Sequence, residues 1–199
     1  MKSLFIKFIG TAFLAGVIAA CSDGGSGFAG IGGSGYIATG SVTGFGSVFV
    51  NGVEFETSSA TFEVENNVNA TQADLRIGMV VQVEGTINTD DITGTATRIY
   101  YGDELEGPIT DLTLNSDGTA KTFKVLGVSV VAKKSVTVFE DVTFDTLVDG
   151  QVIEISGFYD DSGTIQATFI ERKTTPSGIS EIKGVVTDFI NISSNFTVR

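Results

Sequence analysis

The chain of 199 residues carries 12 basic and 24 acidic side chains, a formal net charge of −12, with no histidine, no tryptophan and a single cysteine. That composition excludes Ser-His-Asp and Cys-His catalytic groups, a Cys/His zinc site and an intramolecular disulfide. The acid excess also argues against a nucleic-acid partner, which needs a basic footprint. With 42% hydrophobic residues, 25 glycines and only 2 prolines, the chain has enough apolar material for packed cores. Its Val, Ile, Thr and Phe favour pleated, half-buried strands, so an all-β fold is expected.

In chain order the first element is a leader. Lys2 and Lys7 form a basic start, and residues 8–20 are apolar or small without a break. This stretch is shorter than the ~20 residues of a spanning helix and fits the apolar core of a signal peptide. Its end, Ile18-Ala19-Ala20-Cys21, resembles the bacterial lipobox. That resemblance implies cleavage before Cys21, which then carries lipid. Several acyl chains would anchor the protein stably. Ser22, not Asp, follows the cysteine. By the usual sorting rule for Gram-negative lipoproteins this resembles an outer-membrane destination, on either face. Residues 21–39 are then the lipidated cysteine and a flexible Gly-rich tether.

Beyond the tether the sequence repeats itself. Residues 75–85 (LRIGMVVQVEG) recur as 147–157 (LVDGQVIEISG), and 40–45 (GSVTGF) as 107–112 (GPITDL) and again as 184–189 (GVVTDF). Residues 49–55 (FVNGVEF) correspond to 124–130 (KVLGVSV), and 96–99 (ATRI) to 167–170 (ATFI). The shared order indicates tandem duplication. Within each copy, Leu75 and Leu147 enter a core, and Gly78 and Gly150 supply a turn. Val81, Val83, Ile153 and Ile155 point inward, Gln82, Glu84, Glu154 and Ser156 outward, and Gly85 and Gly157 bend the strand. Asn51-Gly52 is a two-residue hairpin signal, with Leu126-Gly127 its weaker counterpart.

A unit near 70 residues, with five or six short strands, gains most by closing on itself. The expected architecture is therefore two small β-barrels in tandem, OB-like or similarly rolled, at 40–104 and 105–175. A partial third copy follows at 176–199, read as a truncated or frayed tail, or else a hairpin paired to an open edge. A solenoid-like sheet array is the alternative. The ordered motifs resemble bacterial repeat lipoproteins carrying domain of unknown function 5666. That resemblance implies an envelope location and small all-β repeats, and it transfers no catalytic residues.

With His and free Cys gone, carboxylates are the reactive groups left. Glu54, Glu56, Glu63 and Glu65 alternate with Val53, Phe55, Phe62 and Val64. If their strands pair, the four would crowd one face and could hold a divalent cation such as Ca²⁺. Asp103, Glu104 and Glu106 read as a charged connector, and residues 160–163 (DDSG) as a hairpin turn. Tyr101 and Tyr159 are candidate exposed aromatics for stacking on a sugar or anchoring a partner. The functional expectation is a non-enzymatic, lipid-anchored envelope protein that binds a protein, an envelope glycan or a cation. The alternatives are a structural spacer and, less favoured, a carboxylate-based hydrolase, which would need paired carboxylates about 5–10 Å apart in a cleft.

Overall fold

The computed structural model describes residues 35–173 and 180–184 with side chains, and 186–190 and 195–198 as backbone strands. The leader, Cys21 and the tether up to residue 34 lie outside the described residues. The first repeat contains β1 (Tyr36–Gly44), β2 (Val48–Val50), β3 (Val53–Glu56), β4 (Thr61–Val64), β5 (Asn67–Ala70), a 3₁₀ turn (Gln72–Asp74), β6 (Val80–Ile87) and β7 (Thr93–Tyr101). The second contains β8 (Leu105–Leu114), β9 (Ala120–Val125), β10 (Val128–Lys133), β11 (Val138–Glu140), β12 (Val152–Tyr159) and β13 (Ile165–Arg172). The first barrel opens at Tyr36, not Gly40. Tyr36 to Ser41 pair with β6, so the end of the expected tether is strand.

Each repeat closes. In the first, the ladder runs β3-β2-β1-β6-β7 and returns through a parallel β3–β7 pairing; in the second, β10-β9-β8-β12-β13 returns through parallel β10–β13. All other pairings in these rings are antiparallel. Numbering the five ring strands in order gives 1-2-3-5-4, the Greek-key order of an OB barrel. The inserted strands β4 and β11 each add in parallel to the last ring strand.

The repeated motifs are the devices that make the ring close. Asn51 and Gly52 both have positive φ, 53° and 80°, and so do Leu126 and Gly127, at 50° and 84°. Both hairpins are therefore of the primed kind that matches strand twist. Two other motifs prove to be the two sides of one β-bulge. Glu84 faces Arg98 while Gly85 faces Ala96, leaving Thr97 extra; Ser156 faces Phe169 while Gly157 faces Ala167, leaving Thr168 extra. The bulged threonines donate to the carbonyls of Glu84 and Ser156, each at 3.1 Å. A Cβ on Gly85 or Gly157 would lie 2.1 or 2.5 Å from the carbonyl oxygen of Thr95 or Gln166, so the bulge demands glycine.

Each barrel has its own apolar core. Val48, Phe55, Val81, Val83, Ile99 and Tyr101 fill the first; Leu105, Phe123, Val130, Ile153, Ile155 and Ile170 fill the second. Two residues of the second barrel reach across: the buried Phe169, on β13, packs into the first barrel's core, and the partly buried Val138, on β11, packs against it. The described start of the third copy is not frayed. Glu181–Ile182 (β14) pairs antiparallel with the start of β8, and β15 (Val186–Ile190) pairs with β16 (Asn195–Val198).

Candidate functional site at the barrel junction

The bulge carries the geometry from sequence to site. It turns the residue after the threonine outward, so Arg98 and Phe169 occupy equivalent outer positions. Arg98 stays in solvent, bonded to Glu63 at 2.6 Å and near Glu84 at 3.6 Å. Phe169 is 1% exposed because the outer face of β12–β13 is pressed against the first barrel. Ser156, beside it, accepts a hydrogen bond from the Val80 N–H at 2.8 Å. Gly78 allows the approach: a Cβ there would sit 2.5 Å from the Thr168 carbonyl oxygen.

The outward positions Glu154 and Ser156 do face away from their own barrel, as alternation requires. They are nonetheless buried, because the neighbouring barrel covers them. Glu154 accepts a hydrogen bond from the Tyr101 hydroxyl at 2.5 Å and forms an ion pair with Lys173. Lys173 also reaches Glu171 at 3.2 Å and Glu65 at 3.6 Å. Burial, then the Glu154 charge, push the Tyr101 phenol up. Burial alone would lower the Lys173 ammonium, but Glu154 overcomes it and the pKa lies above the ordinary lysine value. Glu65 and Glu171 are both raised, chiefly by burial.

Beside this network the barrels leave a cleft of about 240 Å³, lined by Glu65, Asp74, Arg76 and Met79 from one barrel and Glu140 and Glu171 from the other. Arg76 spans it to Glu140 at 2.9 Å. The connector is not the solvated segment its composition suggests. Asp103 is 6% exposed, and its Oδ2 has no hydrogen-bond partner. Burial first, then Glu154, raise its pKa to about 7. Burial likewise raises Glu104 to about 7, against the pull of Lys183 and the Gly157 N–H.

Two expected sites are corrected. Tyr101 is fully buried and cannot stack on a ligand; its outward neighbour is Tyr100, which lies beneath Arg98 and Lys183, 5.9 and 5.3 Å from the ring centroid. Tyr159 is 37% exposed, with its hydroxyl donating to the Lys183 carbonyl at 3.2 Å. The four glutamates do not converge. Their strands β3 and β4 do not pair with each other but join different stretches of β7. Glu56 caps the N–H groups of Thr57 and Ser58, Glu63 is held by Arg98, and Glu65 turns to the junction. Among the described residues no cluster of three or more His, Cys, Asp or Glu could hold a metal ion. Residues 160–163 do form a turn: Asp160 accepts from the Ser162 hydroxyl and N–H and from the Thr164 N–H, and the Ser162 hydroxyl leads in holding its pKa to about 2.

Sequence reasoning missed Asp103, Glu154, Ser156, Phe169 and Lys173. One signal was available. Phe169 is an aromatic residue where the other repeat has Arg98, and a phenylalanine at an outer position marks a covered face.

Fold and junction together define a tandem β-barrel repeat protein whose units share the OB strand order and meet through the outer face of β12–β13. The family described as domain of unknown function DUF5666 matches residues 34–100 and again 106–171, one match per barrel. The chain belongs to that family. No curated protein and no solved structure matches it.

Proposed function

We propose that this chain is a lipid-anchored protein of the cell envelope that works by binding an envelope glycan, without catalysis. The lipobox-like sequence before Cys21 supports the anchor, and Ser22 supports the outer membrane as its site. The binding reading rests on one observation, the outer face of β2–β3 in the first barrel. Phe49 stands opposite Glu54, and Glu54 pairs with Thr93, which sets Phe49, Glu54 and Thr93 in one row, with Ile92 in the loop just before Thr93. Phe45, in the loop before β2, is 41% exposed and Ile92 63% exposed. In OB barrels this face and its two flanking loops take oligosaccharides or oligonucleotides. Here Glu54, Glu56, Asp90 and Asp91 surround it, which disfavours phosphate. Aromatic rings beside carboxylates suit the apolar faces and hydroxyls of sugars. The second barrel's equivalent face carries Thr122, Lys124, Ser129 and Val131 and no ring.

The test is co-sedimentation of the protein with purified envelope glycan, for wild type and Phe49→Ala. The half-exposed Phe49 can be truncated without opening a core. Binding predicts at least about a tenfold loss of affinity, or about 1.4 kcal/mol. A spacer predicts no glycan association in either protein.

A further inference from the structure

Four strands of the first barrel form one cross-strand row. Gly44 on β1 pairs with Phe49 on β2, Phe49 with Glu54 on β3, and Glu54 with Thr93 on β7. Gly44 seats the ring. A Cβ there would lie 3.4 Å from it, so the phenyl rests across the glycine and has little freedom left to lose on binding. Val50 and Val53 close the hairpin, and Phe49 and Glu54 are the next pair out, with Cβ atoms about 4.5–5.5 Å apart on one face. The carboxylates around this row differ in how they are used. Glu56 accepts from the Thr57 and Ser58 N–H groups, and Asp90 from the Ile92 and Thr93 N–H groups and the Thr93 hydroxyl. The half-buried Glu54 has no hydrogen-bond or ion-pair partner for its carboxylate among the described residues. The barrel's own cations are engaged elsewhere: in residues 35–101 the basic side chains are Arg76, paired with Glu140, and Arg98, held by Glu63 and Glu84.

We infer that the glycan held on this face carries free amino groups, with one sugar ammonium seated between the Phe49 ring and the Glu54 carboxylate. The inference rests on the glycan reading above and names the sugar chemistry that site takes. An ammonium over an aromatic face is drawn to the negative quadrupole of the ring, and a carboxylate beside the ring adds an ion pair to the same cation. An N-acetylated sugar puts a neutral amide there and leaves the half-buried Glu54 without a counter-charge; an acidic sugar brings a second negative charge to it. Sugar C–H faces still stack on Phe49 and on Phe45, so uncharged sugars bind more weakly rather than not at all. The second barrel supplies an internal contrast. Its counterpart of the Phe49–Glu54 pair is Lys124–Ser129, cross-strand partners in the equivalent hairpin, with Lys124 bound to Asp111. A lysine in place of the ring repels an ammonium, and the serine offers it no charge.

Titration calorimetry of the full chain in detergent tests this, with glucosamine oligomers and N-acetylglucosamine oligomers of equal length. The pH is mildly acidic, where sugar amines are charged, and about 0.15 M salt screens the net charge of the protein. The free-amine oligomer should bind at least about tenfold more tightly than the acetylated one. Glu54→Gln should bring the two affinities within about threefold of each other, while the acetylated oligomer keeps its wild-type affinity and so reports an intact face. Asp161→Asn makes the same charge change in the 160–163 turn of the second barrel and should leave the preference in place. Equal affinity of the wild type for both oligomers, a preference that survives Glu54→Gln, or one lost equally in Asp161→Asn overturns the inference and leaves the glycan reading standing. An oligolysine of equal charge that binds as tightly as the free-amine oligomer overturns it as well, since the face would then read charge and not sugar. Failure of both sugar oligomers to bind also overturns it, while co-sedimentation with envelope glycan decides the parent reading separately.

Discussion

Truncating Phe169 separates a rigid two-barrel unit from two tethered barrels. The ring is 1% exposed, belongs to the first barrel's core and is delivered by the second. Phe→Ala at a fully buried site costs about 3–5 kcal/mol, the spread reflecting how far the cavity collapses. Here the upper part of that range is expected, because the facing backbones of Gly78 and Thr168 already touch and leave the barrels little freedom to close on the cavity. The loss falls on the contact between the barrels as well as on their folding. Urea unfolding, followed by hydrogen exchange in each barrel, should show one transition in wild type and two in Phe169→Ala. Phe123→Ala serves as the control. It removes an equally buried ring from the second barrel's own core and should destabilise without breaking the docking contact. A cost below about 1 kcal/mol for Phe169→Ala, with the two barrels still unfolding together, would refute the assignment of Phe169 as the coupling residue.

Further outcomes follow from the junction and the turns. Lys173→Met strands the buried Glu154 and should cost about 3–5 kcal/mol, while adding Glu154→Leu should recover most of it in thermal melts. Tyr101→Phe removes one donor from the same carboxylate and should cost about 1–2 kcal/mol. Leu126→Asn, at a φ of 50° and 43% exposure, should raise stability by about 0.5–1 kcal/mol in urea titrations, since the first turn position favours asparagine. Stability should also depend on pH in a stated direction. Asp103 and Glu104 ionise near their ordinary 3.8 and 4.5 when unfolded but near 7 when folded. The folded state therefore binds more protons in that window, and stability falls as pH rises from about 4 to about 7, by about 2–4 kcal/mol for the buried Asp103. Asp103→Asn should flatten that slope. An unchanged slope between about pH 5 and about pH 7.5 would contradict the burial argument.

Much of this fold is legible because period-two alternation and turn chemistry are local properties. Asn51-Gly52 announces its hairpin, and the inward positions from Val81 to Ile155 are where the pattern puts them. The same rule, counted from Ile99, already turns Tyr101 inward and Tyr100 outward. The bulge was not legible, since neither the Gly85 motif nor the Ala96 motif names its cross-strand partner. The junction was not legible for the same kind of reason. Glu154 and Ser156 are outward residues by any alternation, and their burial is a property of the neighbouring barrel. The glutamate cluster fails because proximity in sequence says nothing about β3 and β4 pairing with separate parts of β7.

The two repeats have the same ring and opposite outer faces, and that difference gives the array a direction. At the outer bulge position the first barrel has Arg98, held by Glu63 and Glu84, and the second has Phe169. At the position facing it the first has Glu84 and the second Ser156, which receives Val80. A charged residue in Phe169's place would be buried without a matched partner, so the second barrel's sequence is fitted to docking. The first barrel's Arg98 and Glu84 suit a solvated end, as terminal units of stacked repeats require. The facing surface of the first barrel is fitted too. Gly78 receives Thr168 with no room for a side chain, whereas its counterpart Gly150 has open space around it. Both glycines have positive φ and serve the turn, but only Gly78 also serves the contact. Substitution by alanine should therefore separate the two roles: Gly150→Ala strains one turn, and Gly78→Ala strains a turn and forces the barrels apart.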